Sequence, residues 1–121
     1  MTTILLIDDD DGIRDVFARI LRREGYTVEV AENGRDGLRI FSQTQPQLVI
    51  TDIIMPDMEG LETITKLREK MKDAKIIAIS GGGFNPAEPY LKNASLMGAD
   101  ATLKKPCRVE KLISEVKRLV G

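Results

Sequence analysis

The feature that most constrains the fold is an alternation of short apolar runs with amphipathic segments. Residues 4–7, 48–51 and 76–79 read Ile-Leu-Leu-Ile, Leu-Val-Ile-Thr and Ile-Ile-Ala-Ile. Runs of this kind are typical of strands that are buried on both faces. After the first run, apolar residues recur at three- and four-residue intervals from Ile13 to Leu21, as they do on one face of a helix. The alternation therefore indicates repeated β/α units.

The remaining segments complete five such units. Residues 27–31 form a more polar strand, expected nearer an edge, and a short helix follows Asn33-Gly34. A weaker helix around residues 91–97 precedes a short strand at 100–103, and residues 109–120 form a clear last helix. We therefore predict one α/β domain over residues 1–121. Its sheet would be doubly wound, parallel and five-stranded, in the flavodoxin-like order 2-1-3-4-5, with helices on both faces.

Composition excludes several classes of site and partner. The chain has no histidine and one cysteine, Cys107, which excludes Ser-His-Asp and Cys-His nucleophile systems, His-ligated zinc and an internal disulfide. Aromatic residues make up 4% of the chain, the net charge is −1, and no basic stripe is present, so we expect no direct DNA binding. No apolar run approaches the roughly 18 residues that span a bilayer, so we expect no membrane insertion and a cytoplasmic location.

Acidic, hydroxyl and amino side chains lie at or just after the ends of the predicted strands. Asp8 to Asp11 follow the first strand, Asp52 ends the third, Ser80 ends the fourth, and Lys104-Lys105 follow the fifth. Because the first and third strands should be neighbours, we expect Asp8 or Asp9 close to Asp52. Crowded carboxylates stay ionised together when a cation shares the site, and oxygen ligands favour Mg²⁺ or Mn²⁺.

With a hydroxyl and an ammonium group at the same edge, this combination describes a phosphoryl site in which a carboxylate can be the nucleophile. For Asp10 and Asp11 we favour a simpler role, as helix N-caps.

The chain resembles the receiver domain of two-component response regulators, the CheY-like type. The matching stretches are residues 4–10, 48–60, 76–80 and 98–106, so the resemblance covers essentially the whole chain. The most specific stretch is Asp-Ile-Ile-Met-Pro-Asp-Met-Glu-Gly at 52–60.

The resemblance implies a role for each acidic residue. Asp52 would be the phosphoryl acceptor. Asp9 and Asp52 would ligate Mg²⁺, with Mn²⁺ able to substitute, and the backbone carbonyl of Ile54 would be a third ligand. Asp8 would act mostly through water.

The resemblance also implies a switch. The Ser80 hydroxyl would bond a phosphoryl oxygen, Lys105 would pair with the phosphoryl group, Pro106 would follow a cis peptide bond, and Gly60 would relax the turn into the third helix. The family often has an aromatic switch residue where this chain has Thr102. We therefore expect either no aromatic flip coupled to Ser80 or a different involvement of Phe84 or Tyr90.

We therefore expect a phosphorylation-activated switch of a two-component or phosphorelay system, not a turnover enzyme. The donor would be a sensor histidine kinase or a histidine phosphotransfer protein, and the output surface would comprise residues 91–97, residues 100–103 and the last helix. Loss of the phosphoryl group should be slow, because Ile54 and Gly82 stand where polar residues help water attack. The downstream target is open, and a phosphorylation-linked dimer is possible.

Three alternatives stay open. The first is a receiver-like interaction module that works without phosphorylation. The second is a receiver forming part of a larger regulator or hybrid kinase, although the glycine-rich loop after Ser80 favours a stand-alone protein. The third is an aspartate-nucleophile phosphatase, which is disfavoured because Ile54 occupies the position of the second acid.

Overall fold

The computed structural model describes residues 2–52, 60–70, 73, 75–80, 99–104 and 108–120. In chain order, the elements formed by these residues are β1 (Thr3–Ile7), α1 (Asp11–Arg23), β2 (Thr27–Ala31), α2 (Gly34–Thr44), β3 (Leu48–Asp52), α3 (Gly60–Lys70), β4 (Lys75–Ser80), β5 (Ala101–Lys104) and α4 (Val109–Val120). The helix predicted around residues 91–97 lies outside the described residues. Within the described ranges, no helix has the length and apolar character needed to cross a bilayer.

The strands form one parallel sheet in the order β2-β1-β3-β4-β5, which confirms the predicted topology. β2 is an edge strand, as its more polar sequence indicated. All five strands run in one direction, so their carboxyl ends lie along a single edge of the sheet. In open α/β sheets, this edge is where ligands bind.

The core consists of two layers, one on each face of the sheet. Successive side chains of a strand point to opposite faces, so β1 contributes Ile4 and Leu6 to one layer and Leu5 and Ile7 to the other. Helices α1 and α4 cover the first layer, and α2 and α3 cover the second. The strand residues of both layers are almost fully buried, which explains their continuous apolar runs.

Both ends of α1 are determined by local sequence. Asp10 is the N-cap, and its carboxylate accepts a hydrogen bond from the Ile13 amide at 3.1 Å. The prediction that Asp10 caps this helix is therefore confirmed. At the other end, Gly25 has φ +98°, and the Tyr26 amide donates to the Leu21 carbonyl, as in a Schellman motif. This turn returns the chain to the sheet at Thr27.

The last strand begins one residue later than predicted. Asp100 precedes β5, and its carboxylate accepts a hydrogen bond from the Ile76 amide at 2.8 Å. The same carboxylate pairs with Arg68 of α3. Asp100 therefore joins α3 to the start of β4 through its side chain, and the regular strand starts at Ala101.

Candidate metal centre

The acidic residues lie where two neighbouring parallel strands end. β1 and β3 pair in register with Ile7 opposite Thr51, so Asp8 and Asp52 follow at equivalent positions. One carboxylate oxygen from each of Asp8, Asp9 and Asp52 lies within 4.8 Å of the other two. The predicted proximity of the first acidic pair to Asp52 is therefore confirmed.

The three carboxylates differ in exposure. Asp8 is 2% exposed and Asp52 is 8% exposed, whereas Asp9 is exposed to solvent. Grouped negative charges repel one another, and the repulsion is stronger where burial lowers the local dielectric. A cation shared by the three groups would relieve this repulsion.

The donor set fits a hard divalent cation. In an octahedral site with Mg²⁺–oxygen distances near 2.1 Å, ligands on opposite sides are about 4.2 Å apart. Oxygens within 4.8 Å of one another are therefore close to the spacing that this coordination needs. Carboxylate oxygens are ligands suited to Mg²⁺ and Mn²⁺.

Asp8 is held firmly by backbone and side-chain hydrogen bonds. Its amide donates to the Ala31 carbonyl at the end of β2 at 3.1 Å. Its carboxylate accepts from the Asp10 amide at 2.9 Å, and its backbone carbonyl accepts from the Arg14 guanidinium at 2.8 Å. The Asp8 backbone is thus fixed to both β2 and α1.

Asp52 is held by its position in the sheet. It is the last residue of β3, in register with Ile79 of β4. Next to it, the buried Thr51 hydroxyl donates to the Asp52 backbone carbonyl at 3.0 Å. The carboxylate therefore extends from a backbone that the sheet and Thr51 both hold.

The other predicted site residues are placed in part. Ser80 ends β4 one residue beyond the partner of Asp52, and its own register partner is Lys104. Thr102 lies in β5 opposite Ala78 and is half-buried. Gly60 is the first residue of α3. The predicted residues that lie outside the described ranges are Ile54, Lys105 and Pro106.

Two residues at this site were not among the predicted ones. Arg14 reaches back from the first turn of α1 to Asp8, and Thr51 bonds the backbone of Asp52. Arg14 comes one residue after Ile13 of the apolar face, so helical periodicity places it beside the core. Periodicity does not predict a hydrogen bond from this residue to a loop carbonyl.

The chain is similar in sequence and fold to proteins of one known family. A family model described as the response regulator receiver domain matches residues 4–117. A curated relative, the response regulator MprA of Mycolicibacterium vanbaalenii, is 32% identical over 117 residues. That match covers 97% of this chain and 49% of the relative, so the chain spans about half the length of the curated relative.

Solved structures resemble the whole fold. The chemotaxis protein CheY4 of Vibrio cholerae has 28% identity and a TM-score of 0.87, with 98% of each chain covered. A CheY-like receiver domain protein of Methanospirillum hungatei has 34% identity and a TM-score of 0.86, covering 98% of this chain and 92% of the other.

Proposed function

The chain belongs to the response regulator receiver domain family, and on that premise we propose that it is a phosphorylation-activated switch that accepts a phosphoryl group on Asp52. Receiver domains are signalling switches and not turnover enzymes. We propose that residues 1–121 form one such domain. The observation that carries the proposal is the grouping of Asp8, Asp9 and Asp52 oxygens within 4.8 Å at the carboxyl edge of the sheet.

The proposed reaction is an in-line transfer from a phosphohistidine. A carboxylate oxygen of Asp52 forms a bond to phosphorus, and the bond between phosphorus and the donor imidazole nitrogen breaks. The electron pair of that bond stays on the imidazole nitrogen. This chain has no histidine, so the donor is a separate partner, either a sensor histidine kinase or a histidine phosphotransfer protein.

The acidic residues hold the divalent cation that this reaction needs. We propose Asp9, Asp52 and the Ile54 carbonyl as direct ligands, with Asp8 acting mainly through water. When bound, Mg²⁺ or Mn²⁺ supplies positive charge that offsets the charge on the transferring group. The rigid hold on Asp8 and Asp52 supports this assignment, because a preorganised site needs no rearrangement during the reaction.

The response to phosphorylation is assigned to Ser80 and Lys105. Ser80 ends β4 and Lys105 comes directly after β5 in sequence, and both strands end at the same edge of the sheet as Asp52. A hydroxyl and an ammonium group can each bind a phosphoryl oxygen. Their movement towards the new group would bias the protein between two states that already exist. The output surface comprises residues 91–97, β5 and α4.

Partner and compartment follow from the same proposal. We propose that the output partner is another protein or a second copy of this chain, and that these residues bind no nucleic acid themselves. The single cysteine fits a reducing compartment, and we propose the cytoplasm.

The test is the intact mass of the protein after incubation with acetyl phosphate. We expect one added phosphoryl group when Mg²⁺ is present and none when it is chelated. Asp52→Asn should gain nothing, whereas Asp10→Asn, which keeps the helix cap, should gain the group as the native chain does. Equal phosphorylation of native protein and Asp52→Asn would contradict the assignment. No gain from acetyl phosphate or from a phosphohistidine donor would favour an interaction module that works without phosphorylation.

A further inference from the structure

We propose that Arg14 is a positioning residue that directs the exposed carboxylate of Asp9 into the metal centre. The inference rests on the proposed function, because it gives Arg14 a role towards the cation of that site. Arg14 contacts no proposed ligand side chain in the described contacts. It acts through the backbone that precedes Asp9.

The two peptide groups that flank Asp9 are both held by hydrogen bonds. The first peptide joins Asp8 to Asp9, and its carbonyl oxygen accepts from the Arg14 guanidinium at 2.8 Å. The second joins Asp9 to Asp10, and its amide donates to the Asp8 carboxylate at 2.9 Å. Fixing both peptide planes fixes the direction of the Asp9 Cα–Cβ bond, since only two backbone dihedrals lie between them. The fixed backbone thereby sets the direction of the exposed Asp9 side chain.

The position of Arg14 favours a lasting hydrogen bond to the Asp8 carbonyl. Its side chain is 14% exposed, and its second contact is an ion pair with Asp11, which is 80% exposed. An ion pair with so exposed a partner contributes little to stability. The contact with the Asp8 carbonyl is therefore the one expected to matter.

Charge and position predict opposite effects, which makes the inference testable. Arg14 carries a positive charge near the cation site, so removing that charge should by itself tighten cation binding. Removing the bond to the Asp8 carbonyl should release the peptide before Asp9 and weaken binding. Loss of partners that orient metal ligands commonly weakens metal affinity by about 10- to 100-fold.

The chain offers a matched control in Arg39. Arg14 and Arg39 line the same cavity of about 230 Å³ between α1, β2 and α2. Arg39 is 60% exposed and forms a long ion pair with Asp36, at 3.9 Å. Arg39→Met therefore removes the same charge from the same cavity and leaves the Asp8 carbonyl bonded.

The experiment measures Mn²⁺ affinity of the unphosphorylated protein from the free Mn²⁺ signal in electron paramagnetic resonance, with circular dichroism to verify folding. We expect the Kd of Arg14→Met to rise about tenfold, while Arg39→Met keeps its Kd or binds slightly tighter. If Arg14→Met is not folded, Arg14→Lys replaces it. Lysine keeps the charge but lacks the planar guanidinium that donates to the Asp8 carbonyl, so the Kd of Arg14→Lys should rise at least about twofold.

An unchanged or lower Kd in the folded Arg14 variant would overturn the positioning role and leave the proposed function intact. A native chain that binds no Mn²⁺ would instead contradict the proposed metal centre, and the inference would fall with it. Equal weakening by Arg14→Met and Arg39→Met would also overturn the inference, because only one of these residues contacts the Asp8 backbone.

Discussion

Gly37 of α2 lies directly against the side chain of Ile7, the last residue of β1. A methyl group at position 37 would overlap the Ile7 Cδ1 atom and lie 2.8 Å from its Cγ1 atom. Ile7 is fully buried, and the next residue in the chain is Asp8. The helix can approach the end of β1 this closely only because residue 37 has no side chain.

Gly37→Ala should therefore destabilise the fold. Both contacts are shorter than real methyl contacts, and the buried Ile7 has little room to move. Overpacking of this kind costs about 1–3 kcal/mol. Urea unfolding followed by circular dichroism measures the change, and Ile7→Val, which removes the Cδ1 atom, should recover part of it in the double variant. A double variant whose losses simply add would show that Ile7 is not the obstacle.

Asp100→Ala should lower stability more than the loss of a surface ion pair does. Its carboxylate accepts from the Ile76 amide and pairs with Arg68, and both partners of that pair are about three-quarters buried, at 23% and 26% exposed. Removing the acceptor leaves the amide and the guanidinium without this partner, at a cost of about 1–3 kcal/mol.

The control for Asp100 is Glu115→Ala in α4. Glu115 is 21% exposed, similar to Asp100, but its partner Arg118 is 56% exposed, so loss of this pair should cost less than about 1 kcal/mol. Chemical denaturation of both variants gives the comparison. A smaller loss for Asp100→Ala than for Glu115→Ala would contradict the role of Asp100 in joining α3 to β4.

Removing the metal should reverse the effect of Asp52→Asn on thermal stability. When a chelator has removed the metal, the substitution takes away one of three crowded negative charges. The midpoint of thermal unfolding should then rise by about 4 °C, equivalent to roughly 1 kcal/mol. With saturating Mg²⁺, the native chain should be stabilised by the free energy of binding, and its unfolding midpoint should exceed that of the variant.

Asp73→Asn is the matched control for this thermal experiment, because Asp73 is exposed and the substitution removes the same charge away from the acidic cluster. Its midpoint should respond to Mg²⁺ as the native chain does. If Mg²⁺ raised the midpoint of Asp52→Asn as much as that of the native chain, Asp52 would not be a ligand.

The phosphorylated form should persist after the donor is removed. In the receiver family, polar side chains at two positions help water attack, and the resemblance implies that Ile54 and Gly82 occupy these positions here. Because neither side chain can orient a water molecule, we expect slow hydrolysis. Ile54→Asn should shorten the lifetime by about tenfold, less than a full general base provides. The lifetime is measured from the decrease of the phosphorylated species in intact-mass spectra over time, with Ile54→Val as the apolar control. A lifetime of seconds in the native protein would contradict this expectation.

Much of the fold was predictable because it depends on local chemistry. Buried strands such as Leu48–Asp52 need continuous apolar runs, and parallel strands bring their carboxyl ends to one edge. The proximity of Asp8 or Asp9 to Asp52 was therefore predictable. The N-cap at Asp10 was predictable for the same reason, since a capping side chain and its amide lie three residues apart.

The rest depends on contacts that no periodicity reports. The bond from Arg14 to the Asp8 carbonyl joins a helix to a loop, and the approach of Gly37 to Ile7 joins residues 30 positions apart in sequence. Asp100 bonds Ile76 of β4 through both its backbone amide and its carboxylate, and sequence periodicity does not predict the second of these contacts. Each of these appears only once the elements are packed.

The position of the phosphoryl group distinguishes Asp52 from its acidic neighbours as the acceptor. Borohydride reduces an acyl phosphate to an alcohol, which would convert a phosphorylated aspartate into homoserine at a position that peptide mass spectrometry can identify. After acetyl phosphate and Mg²⁺ treatment, we expect homoserine at position 52 and unmodified Asp8 and Asp9. Homoserine at position 8 or 9, or an added phosphoryl group with Asp52 unmodified, would contradict the assignment of Asp52 as the acceptor.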